Sequence, residues 1–139
     1  MSYPKTEEEW KVKLTPFEFQ VLRNAATERP GTGDLLDEER PGTYYCKGCG
    51  QKLFDAGAKF DAGCGWPSFF RAYSGATSES TDYLLGYPRT EIRCSNCGSH
   101  LGHVFPDAPQ TPTGMRYCMN SVALTFEPAD EGDPEPSAQ

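Results

Sequence analysis

The sequence predicts a mainly-β fold in which small antiparallel sheets follow two short N-terminal helices and are stapled together by a metal ion. Three observations carry this. Fourteen glycines and 12 prolines divide the chain into short segments. Past Gly42 the apolar pieces are strand-length and bounded by turn formers, and four of the six cysteines fall into two Cys-x-x-Cys pairs.

At 139 residues the chain has the length of one domain, since domains commonly run to about 100–150 residues. The first helix is expected over 6–14, where Thr6 offers an N-cap and Glu7, Glu8 and Glu9 fill the first turn. A second starts at Thr15-Pro16, with Pro at the first helical position and Phe17, Val21 and Leu22 at helical spacing through about Ala26. Residues 27–43 read as a connector rich in turn formers and charge. The candidate strands are Gly42–Cys46, 83–87, 91–94, 104–105 and, most convincingly, 116–126. One domain is therefore expected over 1–126, helical over about 6–26 and β over about 42–126. Residues 127–139, acidic and Pro-rich without apolar periodicity, are expected to be a disordered tail.

A formal net charge of -7 argues against a surface built for nucleic-acid phosphates or an anionic membrane. No segment approaches the roughly 18 apolar residues of a membrane span, and the first residues lack the apolar core of a secretory signal, so the chain reads as cytoplasmic.

Cys46-Lys47-Gly48-Cys49-Gly50 and Cys94-Ser95-Asn96-Cys97-Gly98 are one device used twice. In each, a tight turn brings two thiolates to one side, and two such knuckles complete a tetrahedral sulfur site suited to zinc. The 44 residues between the pairs exceed the usual zinc-finger gap, so one structural zinc per chain would join distant parts of one domain. Four thiolates leave no open position for a substrate.

Two cysteines remain. Cys118 lies in the strongest strand, where alternation places Arg116, Cys118 and Asn120 on one face. A thiol beside a guanidinium is placed to lose its proton, and the thiolate is the nucleophile; the plainer alternative is a small buried hydrophobe. Cys64, between Gly63 and Gly65 and before Trp66-Pro67, belongs to an accessible loop. A second cysteine near an oxidised first one is what a sulfenic acid needs to condense to a disulfide. An exposed, inert thiol fits the same residues. His100 and His103, the only histidines, suit proton transfer. Three apart, they fall on opposite faces of an ideal strand and serve one site only if the backbone bulges near Gly102. Either could also be an ordinary surface histidine.

The segments CGWPSF at 64–69, HLGHVF at 100–105 and RYCMNS at 116–121, with the two Cys-x-x-Cys pairs, resemble the methionine-R-sulfoxide reductase B family over roughly 6–126. The resemblance implies two antiparallel sheets, a zinc on Cys46, Cys49, Cys94 and Cys97, reduction of methionine-R-sulfoxide in peptides and proteins, and recycling by thioredoxin. By motif, Cys118 resembles the attacking cysteine, Cys64 the resolving one and Trp66 the wall for the substrate's methyl group. His100, His103 and Asn120 resemble the groups that hold and protonate the sulfoxide oxygen, and Asp107 with Arg116 the charged pair beside the nucleophile. Ala108 stands where the family has Gly, and Met119 where Ile or Val is common. No flavin or nicotinamide is expected, and the chain is expected to act as a monomer. The rival readings, a zinc-ribbon binding module and a thiol redox sensor, account for fewer of these residues. The ribbon leaves Cys64, Cys118 and the Arg116/Asn120 face without a role.

Overall fold

Both helices begin with reciprocal caps. Thr6 accepts from the Glu9 backbone N–H while the Glu9 carboxylate accepts from that of Thr6, opening α1 (Glu7–Lys13). Thr15 and Glu18 repeat the arrangement at the start of α2 (Pro16–Asn24). Each box satisfies two N–H groups that the first helical turn would otherwise leave unpaired. α2 ends at Ala25 in the left-handed conformation and buries Phe19, Val21 and Leu22. The structure is a computed structural model and describes residues 3–129.

Two antiparallel sheets follow. In the first, β1 (Gly42–Cys46) lies between β2 (Lys52–Asp55) and β9 (Leu124–Pro128). The second has six strands in the order β3 (Lys59–Phe60), β4 (Ser68–Phe69), β8 (Gly114–Met119), β7 (His100–Ala108), β6 (Arg89–Cys94) and β5 (Thr77–Asp82). Aromatic rings lock the sheets together. Phe69 of the second sheet stacks on Phe54 of the first at 4.4 Å between centroids and meets Tyr44 edge-on at 5.0 Å. Tyr117 of β8 closes on Phe54 at 5.8 Å. Tyr44, Phe54 and Phe69 are fully buried, so each contributes roughly 1.5–3 kcal/mol of transfer free energy besides its ring contacts.

The mainly-β expectation with short N-terminal helices holds, with local corrections. Residues 116–126 are not one strand: a 3-10 turn at Ser121–Ala123 divides β8 from β9 and sends the chain to the other sheet. Residues 83–87 are the tip of the β5–β6 hairpin, where Asp82 accepts from the Leu84 N–H, Tyr83 C=O accepts from the Gly86 N–H, and Gly86 takes φ 85°. The strand itself is the polar Thr77–Asp82, at the sheet edge and largely solvent-exposed, so it has no apolar alternation to announce it. β9 runs through Pro128, two residues into the expected tail; residues 130–139 lie outside the described residues.

Candidate active site and metal centre

Cross-strand pairing builds one row of polar side chains over five strands of the larger sheet. Ser80 faces Glu91, Glu91 faces His103, His103 faces Cys118, and Cys118 faces Ser68. Directly opposed residues of an antiparallel ladder project from the same face, so these five groups line one surface.

Cys118 is the crowded point of the row. Nη1 of Arg116 donates to its Sγ at 2.6 Å, the Ser68 hydroxyl lies at 3.7 Å, and Sγ of Cys64 lies 3.1 Å away. Arg116 is itself held rigid. Nε and Nη2 donate to the two Asp107 carboxylate oxygens, each at 2.9 Å, and the guanidinium packs over Phe105 at 4.5 Å. That fork keeps the Arg116 proton on and holds Asp107 below the ordinary carboxylate range.

With two sulfurs in contact, the ionisation belongs to the pair. One thiol is drawn down, to about 5 on the Cys64 side, chiefly by its hydrogen bond with Cys118, while the same contact and then burial hold the other up. The guanidinium hydrogen-bonds Cys118 and reaches Cys64 only through space. That charge-assisted bond favours the anion on Cys118 when the sulfurs separate.

The two histidines share the site because β7 bulges. Ile92 pairs with Gly102 but Arg93 with His100, leaving Leu101 as an extra residue. The bulge brings the imidazoles onto one face, 5.5 Å apart between ring centroids. Nε2 of His103 lies 2.8 Å from Asp82 Oδ2, and Nδ1 of His100 lies 2.7 Å from Glu91 Oε2. Asp82 is fixed further by the Leu84 N–H at 2.7 Å and by Arg89 at 2.9 Å, and it ionises well below the usual range, at about 2, chiefly through that backbone bond. Burial disfavours the charged form of His100, whose Nε2 has no hydrogen-bond partner. Gly102 permits the bulge to sit close to β8, for a Cβ there would stand 2.0 Å from the Cys118 carbonyl oxygen.

Asn120 and Trp66 are tied to the connector after α2. The Asn120 side chain accepts from the Glu28 N–H at 3.0 Å and donates to Leu101 C=O at 3.0 Å. The Trp66 indole donates to Glu28 C=O at 3.1 Å. The buried Glu28 carboxylate then accepts from the Val122 N–H. In this geometry the Asn120 amide oxygen and one of its two N–H donors are held by backbone groups, which fixes the side chain in the site's frame. A cleft of about 530 Å³ runs beside the Cys64 loop; Gly63, Gly65, Trp66 and Ser68 line it, but neither sulfur does.

Every site residue singled out by sequence thus falls either in this cluster or in the metal centre. Ser68, Asp82, Glu91 and Glu28 were missed. The first three acquire their meaning only from strand pairing, and Glu28 lies in a connector with no motif of its own.

Cys46, Cys49, Cys94 and Cys97 converge, all four buried and with sulfurs within 4.8 Å of one another. Cys46 to Cys97 is 3.7 Å and Cys49 to Cys94 is 3.6 Å. Four sulfurs on a zinc at about 2.3 Å would stand about 3.8 Å apart, so the set fits a tetrahedral cation. Cys46 ends β1 and Cys94 ends β6, so the four cysteines join one sheet to the other.

A family model described as the SelR domain matches residues 14–128. Proteins named peptide methionine sulfoxide reductase MsrB are similar over most of the chain. One from Leifsonia xyli subsp. xyli is 59% identical over 91% of this chain and 92% of its own. One from Methylibium petroleiphilum is 54% identical over 89% and 90%, and one from Burkholderia mallei 51% identical over 93% and 91%. Among solved structures, the Mis18 'Yippee-like' domain superposes with a TM-score of 0.53 at 17% identity, over 66% of this chain and 100% of that one. That likeness concerns the fold alone.

Proposed function

We infer the route of the reaction from what the chain is: it belongs to the SelR domain family, the peptide methionine sulfoxide reductases MsrB, and it reduces methionine-R-sulfoxide in peptides and proteins to methionine. The observation that carries the route is the 3.1 Å separation of Cys64 Sγ and Cys118 Sγ, with the Arg116 guanidinium on Cys118.

Cys118, as thiolate, attacks the sulfoxide sulfur while His103, oriented by Asp82, supplies a proton to the sulfoxide oxygen. The oxygen passes to Cys118, which is oxidised by two electrons to a sulfenic acid, and the substrate sulfur is reduced to methionine. Trp66, braced by Glu28, forms the wall for the substrate's methyl group. His100, its charged form disfavoured by burial, offers its buried, unpartnered Nε2 as an acceptor to the protonated oxygen once the Cys64 loop has moved. Cys64 then attacks the Cys118 sulfur; the S–O bond breaks, water leaves, and a Cys64–Cys118 disulfide remains. An external dithiol, thioredoxin, reopens that disulfide by exchange.

The sulfur contact corresponds to the second half of this cycle. For substrate to reach Cys118, the loop carrying Cys64 must swing away, and Gly63 and Gly65, at φ 68° and 93°, are its hinge points.

Zinc is the cation assigned to the four paired cysteines, one per chain. Bound there it would supply no chemistry to the reaction and would hold the two sheets, and with them the Cys118 strand, in register. No helix among the described residues is long and apolar enough to cross a membrane; a monomer in the cytoplasm is the setting we assign.

The deciding experiment gives both sulfoxide epimers of an N-acetylated peptide to the protein and to Cys118→Ser, with dithiothreitol as reductant. The protein turns over the R epimer alone and the variant neither. R-epimer turnover by the variant would remove Cys118 from the mechanism. Elemental analysis should find one zinc per chain, retained when Cys64 and Cys118 are both replaced by Ser.

A further inference from the structure

We propose that the tip of the β5–β6 hairpin, residues 83–87, is a docking surface for apolar side chains that flank the oxidised methionine in a polypeptide substrate. Tyr83, Leu84, Leu85 and Tyr87 are 68, 78, 55 and 54% exposed. Among the described residues only Val12 and Phe17 are comparably exposed large hydrophobics, so four of six lie within five consecutive positions. Single exposed apolar residues are ordinary, but a contiguous group of them marks a surface kept for a partner.

The turn does not require these side chains. It is closed by the Asp82 carboxylate, the Tyr83 C=O and the positive φ of Gly86, and polar residues would serve at the other positions. Nor does the tip suit a charged occupant. The two charged groups at its base, Asp82 and Arg89, neutralise each other at 2.9 Å.

Continuity with the reacting centre points to the substrate chain as the occupant. Asp82, the last residue of β5, reaches His103, and its neighbour two residues back, Ser80, stands in the row that contains Cys118. β5 is three strands from β8, which at about 4.8 Å per strand places Ser80 about 14 Å from Cys118, with the tip, four residues on at Leu84, about 13 Å farther along the strand. A substrate chain extended at about 3.3 Å per residue covers that diagonal, about 19 Å, in roughly five to seven residues. The reader would therefore sense residues well away from the sulfoxide, and small sulfoxides would gain nothing from it.

The inference rests on the reductase activity, and its test separates the two. Gly/Ser peptides with one central methionine-R-sulfoxide carry a Leu-Phe pair placed one to eight residues to either side, and kcat/KM is measured with dithiothreitol for the protein and for L85S/Y87S. The protein should prefer the pair at five to seven residues on one side by about tenfold, the worth of partly burying one or two such side chains. In L85S/Y87S the profile should flatten, with turnover of N-acetylmethionine-R-sulfoxide amide unchanged. A flat profile for the protein, or an undiminished peak in the variant, overturns docking while leaving the reductase intact. Absence of turnover on every peptide overturns the reductase reading instead. If sedimentation shows a dimer that L85S/Y87S dissociates and the profile is flat, the tip is covered by a second copy and the proposal fails.

Discussion

The Asp82 carboxylate lies 2.8 Å from Nε2 of His103, two strands away across the sheet, and is itself clamped by Arg89 and the Leu84 N–H. A carboxylate so placed fixes the ring's orientation. Replacing it by Asn keeps the shape and removes the charge. Asp82→Asn should lower kcat on the R sulfoxide by about 10- to 100-fold with KM little changed. An unchanged kcat would show that the Asp82 contact does not orient His103 for the reaction.

The contact between Cys64 and Cys118 predicts a division of labour. Cys64→Ser should reduce one equivalent of R sulfoxide in a single turnover, since the first attack does not involve Cys64. Steady-state turnover with thioredoxin should collapse, because no intramolecular disulfide forms for it to open. Mass spectrometry after one turnover should find a Cys64–Cys118 disulfide in the unmutated protein and an oxidised Cys118 in the variant. Full turnover of the variant with thioredoxin, or a disulfide from Cys118 to a zinc cysteine, would rule out the resolving role.

The lowered ionisation of the sulfur pair sets a pH dependence. A thiol drawn down to about 5 is thiolate above that pH and is protonated as pH falls through it. Alkylation by iodoacetamide, summed over Cys64 and Cys118 by mass spectrometry, should be half-maximal near pH 5 in the reduced protein. Arg116→Met should raise the midpoint by about one unit, since a hydrogen-bonded cation is lost. A midpoint near the ordinary thiol value of about 8.5 in the unmutated protein would contradict the assignment.

Gly102 tests the closeness of β7 and β8 at the nucleophile. A Cβ there would meet the Cys118 carbonyl oxygen at 2.0 Å, and backbone cannot turn aside as a side chain can. Gly102→Ala should cost about 3 kcal/mol, seen as a fall in Tm of about 10 °C, and should slow the chemical step by moving Cys118. An unchanged Tm would show that the strands do not approach this closely.

Much of this was legible in the residues. The helix starts announced themselves through Thr6 with its acidic first turn and through Thr15-Pro16, because capping is a local matter of side chains and backbone a few residues apart. The metal knuckles were equally local, since a Cys-x-x-Cys turn preorganises two ligands whatever surrounds it. The reacting face of β8 followed from alternation, and Arg116 does reach Cys118. The weak spots were segments whose role depends on distant chain. The edge strand Thr77–Asp82 buries no face, so it has no apolar period, and the exposed hydrophobics of 83–87 mimicked a strand instead. Residues 116–126 concealed a turn, because the polar Asn120 and Ser121 at it are buried together with the apolar residues on both sides.

By itself, then, the sequence determined the mainly-β character, the paired-cysteine knuckles of a metal site and the chemical types assembled for sulfoxide reduction, all of which rest on spacing within a few residues. Only the tertiary structure decided which groups meet. The bulge at Leu101 turned two histidines onto one face, and strand order brought Asp82 to His103 and Glu91 to His100. Folding set Cys64 against Cys118 across 54 residues of chain. Local propensity has no range beyond a turn or two, whereas a site is made by pairing between strands, and pairing is settled by burying both sheets around one shared core.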